Sequence, residues 1–120
     1  GNETAAEKLL RRAIRVIPEN ADVHYALGLS LIRQQRGDEA IGELRLASTL
    51  NPDNAHYLYV YAVALNSPGK PEQAIMVLQG AHQAHPNNVE ILNALVAFHR
   101  DLGNQAAANG FAGKLRAISP

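Results

Sequence analysis

Reactive side chains are sparse in this sequence, with five histidines and no cysteine among 120 residues. His82 and His85 stand three apart, a spacing that puts two imidazoles on one side of a helix within reach of one metal ion. No third ligand is evident beside them, and cationic groups near a helix C-terminus have an ordinary role in offsetting its dipole. No metal or other cofactor is therefore expected. His24 and His99 occupy apolar packing positions and read as core or half-buried histidines rather than as acids or bases. Ser30, Ser48, Ser67 and Ser119 have no His and Asp arrangement to activate a hydroxyl. The basic run Lys8, Arg11, Arg12 and Arg15 has Glu3, Glu7 and Glu19 nearby and reads as a solvated helix face. No enzyme signature survives.

Composition excludes further classes. Eleven Lys and Arg balance eleven Asp and Glu, so no global field draws the chain to nucleic acid or to an anionic membrane. From Leu46 to Gly69 Asp53 is the only ionised side chain, which also disfavours RNA along a helical array. The longest apolar run, Tyr57 to Leu65, has nine residues, against about 20 for a membrane-spanning helix. With two Phe and four Tyr, alanine and leucine must do most of the packing. The start Gly1-Asn2-Glu3 lacks both an initiator Met and an apolar leader, so the chain reads as a fragment or processed product. Cytoplasm and periplasm are left equally open, and the Ala-rich, Cys-free composition looks bacterial.

The elements that must position any site follow from a period. Pro18, Pro52, Pro86 and Pro120 stand 34 residues apart, and proline punctuates helices. Asn20, Asn54 and Asn88 keep the same step, as do Ala6, Ala40, Ala74 and Ala108, and Leu10, Leu44 and Leu78. Each Asn can cap a following helix. His24, Leu27, Gly28 and Leu31 then form one stripe of a 3.6-residue helix over about 21–35. After a break at Arg36-Gly37, a second helix carries Ala40, Leu44 and Ala47 on one face and ends near Leu50. His56 to Leu65 alternates its tyrosines as a strand would, but the Asn54 cap and the breaker Ser67-Pro68-Gly69 predict a helix, with Pro71 in the first turn of the next. A lone helix over about Ala5–Ile17 precedes these units.

The period and the columns Leu27-Gly28…Ala40…Pro52, Leu58, Tyr61-Ala62…Ala74…Pro86 and Leu92, Leu95…Ala108…Pro120 resemble the tetratricopeptide repeat family across the whole chain. The resemblance implies an all-α, right-handed superhelical solenoid of seven helices: one orphan helix (residues 1–20) and three helix-turn-helix units (21–54, 55–88 and 89–120) forming one domain. Ala62 and Val96 replace the glycine of the pattern, so the later helix pairs are expected to sit further apart. Gly110 and Gly113 make the final unit the weakest, with fraying expected from the C-terminus.

In such a solenoid the first helix of each unit lines the concave side, which makes Asp22, Tyr25, Leu29 and Arg33, then His56, Tyr59, Val63 and Asn66, then Asn93, Ala97 and Arg100 the candidate peptide-binding groove. Tyrosine on a rigid concave surface suits a hot spot, although Tyr25 and Tyr59 could equally fill gaps between neighbouring helices. The groove positions hold no lysine, which excludes the carboxylate clamp by which family members hold chaperone C-termini. The expectation is a non-catalytic scaffold for a protein or peptide with apolar anchors and an acidic flank. Two alternatives accompany it: self-association through the uncapped terminal helices, and a regulatory arm of an enzyme whose catalytic domain lies elsewhere.

Overall fold

A computed structural model describes residues 2–118. Within them lie α1 (Asn2–Val16), α2 (Ala21–Arg33), α3 (Gly37–Leu50), α4 (Ala55–Asn66), α5 (Pro71–Ala84), α6 (Val89–Asp101) and α7 (Gln105–Ile118), with no strand among the described residues. The segment of alternating tyrosines is helical, as the register required. The first helix starts three residues earlier than expected, at Asn2. Ser119 and Pro120, the latter the last proline of its column, lie outside the described residues.

Each first helix of a pair starts the same way. The side chains of Asn20, Asn54 and Asn88 accept hydrogen bonds from the backbone N–H of Val23, Tyr57 and Ile91 at 3.0, 3.1 and 2.9 Å, satisfying one orphan donor per helix. Each also ends the same way. The N–H groups of Arg36, Lys70 and Asn104 donate to the carbonyls of Leu31, Leu65 and His99 at 2.9, 3.2 and 2.8 Å, closing a turn whose left-handed residue is Gln35, Gly69 or Gly103 in successive units. Glycine holds that conformation without a Cβ penalty, and Gln35 does not. Pro71 opens α5, where its missing N–H costs nothing. Helix α7 runs unbroken through Gly110 and Gly113.

The helices pair as α2 with α3, α4 with α5 and α6 with α7, stacked into a body 46 Å long and 26 by 22 Å across. Ala40, Ala74 and Ala108 are buried at the contacts, beside Leu27, Leu31, Leu44, Leu65, Leu78 and Leu95. The α2–α3 pair makes the most extensive contact of any two helices, and Gly28 is the reason. A Cβ at that position would lie 2.8 Å from the fully buried Leu44 side chain. His24, in the column where the family pattern has a large aromatic, is buried and bridges loop and helix. Its Nδ1 lies 2.8 Å from a Glu43 carboxylate oxygen and its Nε2 2.8 Å from the Pro18 carbonyl.

Helix α1 has no fully buried residue, and charge supplements its packing. Glu3 accepts from Arg33 at 2.5 Å and from the buried Ser30 hydroxyl at 2.9 Å. Glu7 accepts from Arg11 at 2.8 Å and from Arg36 at 2.6 Å, and Arg36 also pairs with Glu39 at 2.7 Å. The Arg11 and Arg36 guanidinium groups hold the Glu7 carboxyl down at about 2, Arg33 with the Ser30 hydroxyl lowers Glu3, and Arg36 lowers Glu39.

Two experiments test this packing. Gly28→Ala is expected to destabilise the chain by about 1–3 kcal/mol because Leu44 must give way, whereas Gly80→Ala, whose new methyl would meet nothing within 4 Å, is expected to stabilise it by about 0.5–1 kcal/mol; urea melts of both variants decide the matter. Carboxylates with lowered pKa stabilise the fold in full above their ordinary value and lose that contribution as they protonate. Protection of the α1 amides, corrected for the intrinsic exchange rate, is therefore expected to fall between pH 4.5 and about 2, and Glu7→Gln to remove most of that dependence.

Candidate functional site

Helices α2, α4 and α6 lie side by side, and the candidate groove residues come from all three. Tyr59 and Val63 of α4 meet Asn93 and Ala97 of α6 around a pocket of about 330 Å³, completed by Glu90, Ala94 and Phe98. These four are the expected groove residues that line this pocket. The 3.6-residue turn places them one above the other on facing helices, and Val63 is 40% exposed, open to a ligand.

The α2 members of the set are engaged differently. Tyr25 stacks on Tyr57 with ring centroids 4.3 Å apart and planes 18° from parallel, filling the gap between α2 and α4. Tyr57 is buried, and its hydroxyl donates to the Asp22 carboxylate. Burial first, and that carboxylate second, push the Tyr57 phenol up to about 12, while burial and Glu90 raise Tyr25. Both phenols thus stay protonated donors at neutral pH. Arg33 turns to Glu3 on α1, 2.5 Å away, and its charge is directed there. Leu29 and Asn66 are half-buried, and Arg100 is exposed.

Between the tyrosines sits His56, edge-on to Tyr25 at 6.1 Å and 6.0 Å from Tyr59. Its Nδ1 lies 2.8 Å from a Glu90 carboxylate oxygen on α6, so one repeat is tied to the next across the mouth of the pocket. A second pocket of about 460 Å³ adjoins the first through Val63 and is walled by Ile32, Val60, Ala64 and Pro68. Phe98 and Val60 were not read as groove residues. Their one signal in the sequence was being apolar beside a groove position, which core residues share.

The remaining candidates have structural partners. His85 caps α5 and faces the Pro52 carbonyl at 3.2 Å, and His82 turns to Lys114 and Phe111. No cluster of three metal-ligating side chains occurs among the described residues. Of the basic run, Arg11 pairs with Glu7, and Lys8, Arg12 and Arg15 are exposed. No helix among the described residues is long and apolar enough to cross a membrane.

Comparison with known proteins agrees with this architecture. The tetratricopeptide repeat model matches residues 1–64. A solved structure of MamA from MSR-1 is 26% identical, covering 98% of this chain and 68% of that one with a TM-score of 0.78. Another MamA crystal structure, 19% identical, covers 98% and 69% with a TM-score of 0.87. YrrB, described as a TPR protein with an unusual peptide-binding site, is 20% identical and covers 98% of this chain and 61% of its own, with a TM-score of 0.82. This chain thus spans about two thirds of the length of those structures. No curated protein sequence matches it. With the family pattern over more than half its length and a paired-helix solenoid for its fold, the chain belongs to the tetratricopeptide repeat family, a family of protein-interaction scaffolds.

Proposed function

We propose that the chain binds a protein segment on the face formed by α2, α4 and α6, with an apolar side chain of that segment seated between α4 and α6. The observation that carries this reading is the pocket in which Tyr59, Val63, Asn93 and Ala97 converge. Its walls combine an aromatic ring and aliphatic groups, which exclude water, with the Asn93 amide and Glu90 carboxylate at the rim, which can pair with a peptide backbone. The adjoining pocket at Ile32, Val60 and Pro68 accepts a second apolar anchor of the same ligand. Arg100 suits an acidic residue flanking those anchors. Among its structural neighbours, YrrB is described as carrying a peptide-binding site on this fold. The lysine-free set of Tyr25, Leu29, Tyr59, Val63, Asn93 and Ala97 does not suit a chaperone C-terminal carboxylate, and the reading involves neither cofactor nor catalysis.

A second reading has its own observation. Leu9 and Val16 on α1 are 62% and 80% exposed, an apolar edge that a second copy of the chain can cover. Light scattering over a concentration series separates the two: mass rising with concentration, and falling back to the monomer in Leu9→Glu, supports self-association, and a strict monomer removes it.

The groove is tested by panning a displayed peptide library against the chain and titrating the peptides it selects. Tyr59→Ala is expected to weaken them by about 2 kcal/mol, the loss of a hot spot. Tyr57→Phe is expected to leave affinity intact and to lower stability by about 1 kcal/mol, one hydrogen bond. Unchanged affinity in Tyr59→Ala would place the site elsewhere.

A further inference from the structure

Two imidazoles that the groove does not use lie against α7, His99 buried and His82 half-buried. His99 of α6 is 7% exposed, and neither of its ring nitrogens meets a donor or acceptor among the described residues. Its ring stacks on Phe111 of α7 with centroids 5.7 Å apart and planes 15° from parallel. His82 of α5 meets the same phenyl ring edge-on, at 5.6 Å and 89°. The Nδ1 of His82 is likewise buried without a partner, and its Nε2 faces the Lys114 ammonium of α7 at 3.5 Å. Lys114 also stands over the Phe111 ring, 5.9 Å from its centroid. Phe111 is thus held in a slot between two imidazoles, one from α6 and one from α5.

The sequence column makes His99 conspicuous. The preceding units carry Leu31 and Leu65 at the same register, 0% and 4% exposed. A neutral imidazole can substitute for leucine there, but an imidazolium cannot be buried without a counter-charge. The elements around it supply none. Helix α7 contains no acidic residue and brings Lys114 and Arg116. Helix α5 has one carboxylate, Glu72, exposed in its first turn, at the opposite end of the helix from His82. Helix α4 offers tyrosines and His56, which is held by Glu90. On α6 itself Arg100 and Asp101 are exposed, and Glu90 lies in the first turn, at the opposite end. Ala108 is the one buried residue of α7.

We propose that α7 is a proton-released latch: protonation of His99 and His82 expels their rings from the slot around Phe111 and undocks α7 from α5 and α6. Burial, and secondly Lys114, hold the His82 imidazole below its ordinary value of 6.5. A base lowered in this way costs the fold nothing while it is neutral in both states. Docking of α7 is therefore complete above about pH 6.5 and weakens as the pH falls below it. The same helix α6 walls the pocket through Asn93, Ala97 and Phe98, so release of α7 slackens that wall. This last consequence rests on the groove reading; the latch itself does not.

Hydrogen exchange of the full chain at pH 7.5 and 5.0, corrected for the intrinsic rate, tests the latch. Amides of α7 are expected to lose about tenfold in protection on going to pH 5.0. Those of α1 to α4 are expected to hold, because the lowered carboxylates of α1 titrate only below 4.5. His99→Leu, which restores the residue of the two earlier units, is expected to keep a larger share of its α7 protection at pH 5.0 than the wild type, with only the His82 contribution lost. Equal protection of wild-type α7 at the two pH values, or a loss in His99→Leu as large as in the wild type, overturns the proposal. Should the variant fold poorly, the imidazole resonances of the wild type decide: titration of His99 without movement of the α7 amides is equally fatal to it.

Discussion

Helix pairs in this chain come together at alanine. At Ala40, Ala74 and Ala108 only a methyl group stands between two helices, and each of these residues is buried against its partner helix. The close approach lets the leucines at 27, 31, 44, 65, 78 and 95 interdigitate without a large aromatic core. A helix with one such stripe is not stable alone, so every pair must find another pair to cover it. The elongated shape, the contact of α2, α4 and α6 and the shallow groove between them all descend from that requirement. Gly28 takes the same principle one step further, which is why α2 and α3 are the most closely joined.

Regular spacing would be lost without regular ends. The Asn side-chain caps start α2, α4 and α6 at one register, and the backbone turn after Leu31, Leu65 and His99 ends them at one register. Both are satisfied within a few residues of chain. Fixed helix lengths in turn hold Tyr59 opposite Asn93 and Val63 opposite Ala97, which is what creates the pocket.

Individual character enters where a unit departs from its column. His24 stands in an aromatic column and turns a packing position into a bridge between Pro18 and Glu43. His99 stands in a leucine column and leaves two nitrogens without partners in the core. Helix α1, whose apolar face is only partly covered, is held by Glu3 and Glu7 to the arginines of the first unit. Titratable groups thus hold α1 to the first unit and lie against α7 in the last.

The sequence by itself determined the helices, their pairing and their family, because caps, turns and the 3.6-residue stripe depend on neighbours within a few positions of chain. Even the alternating tyrosines were legible as helix once Asn54 and the 34-residue register were taken together. Only the tertiary structure decided which partners the candidate groove residues take. Tyr25 was open to two readings, ligand contact or filler between helices, and Tyr57, one repeat further on, lies flat against it and draws on Asp22. Arg33 looked like a groove edge, but Glu3 lies within its reach on α1. Phe98 was indistinguishable from core, but it lines the pocket beside Ala97. Backbone conformation answers to local chemistry, whereas a long or aromatic side chain takes its partner from whatever the fold brings near, and that lies 30 or more residues away in the chain.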